Sequence, residues 1–322
     1  MNKLFAGLLA GLIMLAAGAA RAQDNYPNRP IKLIIAFPVG GLLDNVSRVV
    51  GEKMSTLLGQ PMIIEARPGA GGTLATAAVA KAEPDGYTLM MLNDNHALNP
   101  SVFKNMPYDS VKDFAPIGFV GSAPLVLVAN AKAVPAKTVK ELVAYSQAAG
   151  TPVTYGSVGI GSASHLAGEM FATASGAKMQ HIPYRGGAPA LNDLVAGHLQ
   201  TQFMSAVIAQ PHIQSGALRV LATAASTRLE NLPDVPTTAE AGSPVEAAYW
   251  FGLVAPAGTP PAIIARLEKA LAQTLAMPEV KKRLIDMGAI VSPLGPKPFG
   301  DYIQAEIKKW GDVIAQNKIT FQ

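Results

Sequence analysis

"AFPVGGLLDNVSR", residues 36 to 48, closes an apolar run, passes a proline and a glycine pair, and opens a pattern of apolar residues at helical spacing. The run that leads into it, residues 31–37, is apolar almost throughout, as in a strand covered on both faces. After the glycines, Leu43, Val46, Val49, Val50 and Met54 mark one face of a helix. Strand, glycine turn and helix together make the repeating unit of an α/β fold. Such a turn leaves the first main-chain N–H groups of the helix without intrahelical acceptors, so they can meet an anion. Gly40 and Gly41 let the backbone approach a ligand, and Asp44 caps the helix or lies in its first turn, where the dipole favours a carboxylate. A plain chain reversal uses the same glycines. Leu42 and Leu43, moreover, stand where a polar ligand would want hydroxyls.

Outward from this unit, the chain alternates short apolar runs with helix-length segments. Further strands are expected at 62–66, 87–92, 125–129, 153–156, 201–205, 218–224 and 250–254. Helices are expected at 43–58, 138–149, 164–175, 189–197, 261–275 and 299–316. The fold class is α/β, with mainly parallel sheets flanked by helices. Segments 116–124 and 243–256 mix apolar residues with prolines and glycines and read as crossings between two lobes. The last third has few strands of its own and needs the N-terminal sheet to pack against. Lobe 1 is therefore expected to comprise 23–122 and 251–322, and lobe 2 to comprise 123–250.

The chain begins with Lys3, an apolar run to Ala20 and the small-x-small sequence Ala20-Arg21-Ala22, the pattern of a cleaved signal peptide over residues 1–22. Cleavage after Ala22 leaves 300 of the 322 residues and lowers the formal charge from +4 to +2, because Lys3 and Arg21 depart. The expected location is the periplasm. A near-balanced charge gives no basis for a nucleic-acid partner. With no cysteine there is no disulfide framework and no thiolate chemistry. A chain of this length exceeds what one core usually fills, which again favours two lobes.

A second stretch, "VTYGSVGIGSASHLAGEMF" at 153 to 171, has the same grammar as the first. A short strand runs into Gly156, Ser157, Gly159, Gly161 and Ser162, and a helix follows with Leu166, Met170 and Phe171 on its apolar face. Ser162 or Ser164 is placed to cap it, with the N–H groups of residues 161–164 pointing forward. One such terminus in each lobe would make a pincer for a ligand with two carboxylates, or with one carboxylate and another polar end.

Other chemistries lack their signatures. "GIGSAS" misses the third glycine of a dinucleotide fingerprint, and no GK[ST] triplet is present. The five histidines show no metal-ligand spacing and there is no GxSxG elbow, so neither a metal nor another cofactor is expected. A triad assembled from distant positions is a matter of geometry that spacing does not address. His165 reads as a helix-start residue, and His181 and His212 as boundary residues beside prolines. Asn93, Asp94 and Asn95 end a strand at its carboxyl side, where open α/β sheets bind ligands. Arg185, after Tyr184, is a loop cation able to meet a carboxylate directly.

In order along the chain stand "FPVGGLLDNVSR", "ARPGAGG" (66 to 72), "PDGYTL" (84 to 89), "HALNPSVF" (96 to 103), "MPYDSVKDFAPI" (106 to 117), "GSASHLAGEMF" (161 to 171), "HIPYRGGAPALNDL" (181 to 194), "LPDVPTTAEAG" (232 to 242) and "VAPAGTP" (254 to 260). Together they resemble the Bug family, the extracytoplasmic solute receptors of tripartite tricarboxylate transporters. The resemblance implies a two-lobed periplasmic binding protein of the type II, Venus-flytrap kind. Such a receptor closes on a small carboxylate and passes it to membrane subunits. It also implies that the loops at 37–44 and 157–165 grip the carboxylate, with Phe37, Gly40, Gly41, Ser157, Gly161, Ser162 and His165 at matching positions. Two departures bear on the ligand. Leu42 and Leu43 replace small or hydroxyl residues, and Met204-Ser205 replace an Asp-Asn pair after Phe203. Both point to an apolar-bodied ligand, such as an aromatic mono- or dicarboxylate; a short aliphatic di- or tricarboxylate is the alternative. A monomer is expected, with no enzyme activity. A membrane sensor is the alternative partner.

Overall fold

The computed structural model describes residues 26–317 and 319, so the expected signal segment lies outside the described residues. The chain opens with β1 (Ile31–Ile35), α1 (Leu42–Leu58), β2 (Met62–Ala66), α2 (Thr73–Ala80), β3 (Thr88–Asn93) and α3 (Asn95–Val102). β1 lies between β2 and β3 and runs parallel to both. Its apolar run is continuous because both faces are covered. Leu33 and Ile35 pack with Val46, Val50 and Met54 of α1, while Ile34 packs with Ala75 and Val79 of α2.

β4 (Phe114–Asn130) and α4 (Val139–Ala148) lead to a second unit of the same design: β5 (Val153–Ser157), α5 (Ala163–Ser175), β6 (Met179–Pro183), α6 (Gly187–Ala196) and β7 (Thr201–Ser205). Here β5 is central and parallel to both β6 and β7. α7 (Ala206–Gln214), β8 (Leu218–Thr223) and β9 (Ala248–Pro256) follow. The chain then finishes with α8 (Pro261–Ala276), α9 (Pro278–Asp286), β10 (Ile290–Leu294) and α10 (Pro296–Gln316).

The segments expected as crossings are two strands paired to one another. The first half of β4 runs antiparallel to β9, from Phe114 opposite Pro256 to Pro124 opposite Ala248. The second half, Leu125 to Ala129, runs antiparallel to β7. β9 also pairs antiparallel with β3, which gives the order β2-β1-β3-β9-β4-β7-β5-β6, with β10 and β8 also paired to β4. Parallel pairing thus holds within each βαβ unit, and every pairing made by β4 or β9 is antiparallel. The ladder's register shifts between Pro116 and Gly118 and again between Phe119 and Gly121. Such irregularities are where a strand tolerates proline and glycine.

α3 and α7 escape the sequence pattern because each contains a proline, at 100 and 211. Pro100 cannot donate to the carbonyl of His96, and the Ser110 hydroxyl donates to that carbonyl instead at 3.2 Å. At the carboxyl end, Phe299 and Ile303 of α10 join the cluster that holds Trp250 and Phe119. Trp310, farther along the same helix, joins the cluster that holds Leu98, Phe171 and Val245. One helix is therefore anchored in the cores on both sides of the crossing strands.

Candidate functional site

β1 and β5 each end at a glycine loop that opens a helix, and one capping device recurs in both. On α1, Gly41 takes the N-cap position with no side-chain cap, and Gly40 adopts φ +84°. The Asp44 side chain turns back so that the Gly40 N–H donates to its Oδ2 at 2.9 Å, and Arg48, one turn on, holds the same carboxylate at 3.0 Å. On α5, Ser162 is the N-cap and accepts from the His165 N–H at 3.3 Å, and Gly161 adopts φ +74°. The His165 side chain turns back so that the Gly161 N–H donates to Nδ1 at 3.1 Å, with Glu169 one turn on at 3.8 Å from Nε2. In both helices the third residue after the cap thus binds the N–H four residues earlier. The acceptor is a carboxylate in one and an imidazole in the other.

The charges follow from the surroundings. Burial by itself would raise the Asp44 carboxyl, but the hydrogen bonds from Arg48 and the Gly40 N–H outweigh it and hold the group below the usual carboxylate range. A depressed folded pKa contributes stability above the unfolded value of about 4 and loses it as pH falls through the lower folded value. Asp44→Ala is expected to lower stability by about 1–2 kcal/mol at neutral pH. The deficit should shrink below about pH 4. Urea denaturation at pH 7 and pH 3 checks both statements.

The two helix termini are not equally open. In α1 the first intrahelical bond runs from the Asn45 N–H to the Gly41 carbonyl, so the N–H groups of residues 42–44 lie ahead of the helix's own acceptors. In the α5 loop the groups serve one another. Ser162 N–H donates to Gly159 O at 3.2 Å, Gly159 N–H to Ser157 Oγ at 3.1 Å, and Val158 N–H to Ser164 Oγ at 3.2 Å. Asp94, which directly precedes α3, is buried and lies toward the Ala163 N–H. Burial raises its pKa to about 7 against the pull of that N–H and of the Asn93 amide. The two termini differ in degree: α1 keeps the N–H groups of residues 42–44 ahead of its own acceptors, and α5 keeps those of residues 163 and 164, the N–H groups of residues 161, 162 and 165 being bonded within the loop.

The other expected site residues fall into two groups. Leu43 is 6% exposed, within the core stripe of α1, and Met204 is 3% exposed, packed with Val126, Leu194 and Leu199. Helix and strand register turn both side chains inward. Leu42 is half-buried against the same core as Leu43. Ser157 and Ser162 are buried and tie the loop together, Ser162 Oγ donating to Gly159 O at 2.7 Å. Ser205 is buried beside Gly288, in the turn before β10. Near the loops, Phe37 is half-buried and Gly41 exposed. Asn93 is half-buried at the carboxyl end of β3, its amide donating to Asn95 Oδ1 at 3.1 Å. Arg185 is exposed on the turn after β6, and among the described residues it forms no ion pair. Val39, Leu74 and Ile160, on the loops after β1, β2 and β5, are 66%, 61% and 44% exposed.

Contacts run from one loop to the other. Gly72 lies against Ala36 and Phe37, Asn99 of α3 donates to the Gly71 carbonyl at 3.1 Å, and Val102 of α3 packs on Gly161. Beneath Ser157 stands His181, whose Nε2 is 2.7 Å from Ser157 Oγ and whose ring stacks on His165 at 3.8 Å. The sequence reading left His181 as a boundary residue, because β6 carries no long apolar run to mark it as a strand. Among the described residues no group of three metal-ligating side chains occurs, and no helix is long and apolar enough to cross a membrane.

Comparison with known proteins identifies the family. The family described as "Tripartite tricarboxylate transporter family receptor" matches residues 46–319. Protein BugT of Bordetella pertussis is 36% identical over 321 residues, 98% of each chain. The structure of periplasmic binding protein BugD is similar with a TM-score of 0.85 and 33% identity, covering 92% of this chain and 100% of that one. Rpa4515 of R. palustris, a structure with adipate, is similar with a TM-score of 0.86 and 32% identity, covering 92% and 99%. With a glycine loop opening a helix on either side of paired crossing strands, and with likeness over nearly the whole chain, this protein belongs to the tripartite tricarboxylate transporter family receptors, the solute-binding proteins of the Bug group.

Proposed function

We propose that this receptor takes a small carboxylate with an apolar body, one carboxylate resting at the N-terminus of α1. The observation that carries the reading is the first turn of α1, where the N–H groups of residues 42–44 lie ahead of the helix's own acceptors and follow the exposed Val39. The exposed Val39, Leu74 and Ile160, on the loops after β1, β2 and β5, and the half-buried Phe37 and Leu42 offer apolar contact beside that assigned to Leu43 and Met204. Arg185 is available to a second anionic end. We also propose lobes of 23–122 with 251–322 and of 123–250, a cleaved signal peptide, a periplasmic location and delivery by a monomer to membrane subunits.

A second reading, an aliphatic dicarboxylate, is favoured by the relative seen with adipate. A thermal-shift panel on the mature protein separates the two. A ligand present at a hundred times its dissociation constant adds about 2.7 kcal/mol of stability. Benzoate or terephthalate is expected to raise the melting temperature by several degrees, and aspartate, glutamate and citrate are expected to leave it unchanged. A response to adipate without the aromatic acids selects the second reading. Strong stabilisation by an amino acid would overturn the apolar-bodied class.

A further inference from the structure

We propose that His165 is the positioning residue of the 157–162 loop, and that it locks this loop only while its imidazole is neutral. The inference deepens the proposed function, since it rests on the 157–162 loop, which carries the exposed Ile160, lining the ligand site. The chemistry follows from which atoms face which. Nδ1 accepts the Gly161 N–H at 3.1 Å and so carries no proton, which places the ring proton on Nε2, the nitrogen facing Glu169. A second proton can go only to Nδ1. There it would meet the Gly161 N–H, donor against donor, and the loop's hold on its left-handed glycine would be lost.

The surroundings press the same way. The ring lies in the first turn of α5, where a positive charge opposes the helix dipole. His181 of β6 stacks on it at 3.8 Å and occupies Ser157 Oγ at 2.7 Å, so two imidazolium rings would face each other. Tyr155 of β5 donates its hydroxyl to Glu169 and so draws part of that carboxylate's charge away from the histidine. Asp94 faces the same helix at Ala163. Burial holds both histidines near pKa 4, in the neutral form the lock requires.

The sign is that of a depressed histidine. A locked state with pKa about 4 competes with an unlocked state near the ordinary 6.5, so the lock weakens as pH falls from about 6.5 toward 4 and is intact above that window. The corresponding lock on α1 uses Asp44 and should not weaken in this range, because its acceptor stays ionised.

The test uses the ligand-free mature protein, so failure of the lock is distinguishable from failure of the ligand class. Imidazole nitrogen NMR at pH 7.5 is expected to show His165 with a bare Nδ1. Amide exchange is expected to show the Gly161 protection factor falling at least about tenfold between pH 7 and pH 5, with that of Gly40 unchanged. His165→Asn places an amide oxygen where Nδ1 stood and should keep Gly161 protected at both pH values. His165→Leu, similar in volume and without an acceptor, should lose the protection at both. A protonated Nδ1 in the wild type at pH 7.5 would overturn the proposal, as would equal Gly161 protection in the wild type and His165→Leu.

Discussion

Trp310→Ala is expected to lower the unfolding free energy by about 3–5 kcal/mol, the range for emptying a large buried aromatic site. Trp310 is 1% exposed, and its indole N–H donates to Glu306 at 2.9 Å within the same helix, so its burial leaves no polar atom unpaired. The loss should exceed that of an ordinary core truncation in one respect. Trp310 is the buried residue by which α10, already fixed by Phe299 among Trp250 and Phe119, is held to the cluster around β5 and β7, with Val313 and Ile314 packing partly buried beside it. Eleven residues of helix separate the two anchors, about 16 Å at 1.5 Å per residue. Removing Trp310 leaves the end of the helix held to that cluster by the partly buried Val313 and Ile314 while Phe299 stays in place. The variant retains Trp250 as its one tryptophan, so fluorescence in urea would follow the neighbourhood of Phe299 and hydrogen exchange the end of α10. A loss near about 1 kcal/mol, the middle of the range for point substitutions, would show that the cluster does not depend on this residue.

What could be read from the residues themselves depended on how local the cause was. The β1 to α1 unit was legible because its strand, its glycines and its helical stripe lie within 28 residues, and each follows from nearest neighbours. Leu43 illustrates the limit. It belongs to the same stripe as Val46, Val50 and Met54, and the stripe, not the ligand, decides where it points. Met204 lies opposite Val126 in β4, a pairing across 78 positions that periodicity does not reveal. His181 acquires its place only when β6 pairs with β5, Tyr155 opposite His181, which brings its ring to Ser157, 24 positions earlier at the start of the loop. The surroundings of the α5 terminus are equally non-local, since Asp94, which faces Ala163, comes from the end of another strand. Glycine and serine in a loop report that a backbone turn is possible. Whether the exposed N–H groups remain available is decided by side chains that arrive from elsewhere.

Gly161→Ala follows from the same reasoning and should destabilise the protein by about 2–4 kcal/mol, with two separable causes. The first is backbone. Gly161 has φ +74°, and an alanine there bears a left-handed conformation costing about 1–2 kcal/mol. The second is space. A Cβ at 161 would stand 2.6 Å and 2.7 Å from the two methyl carbons of Val102 and 3.2 Å from its Cβ. Val102 ends α3, a helix tied to the Gly71 loop through Asn99, so it cannot retreat without moving a second loop of the site. A double-mutant cycle isolates the two parts. In the Val102→Ala background the close methyl carbons are absent and only the 3.2 Å contact remains. The same glycine substitution should then cost mainly its backbone share, about 1–2 kcal/mol. An equal cost in both backgrounds would assign the whole effect to φ and remove Val102 from the path between the loops. If coupling is found, Gly161 does two things at once. It permits the turn that His165 locks, and it lets α3 lie close enough to fix that loop relative to the one at Phe37.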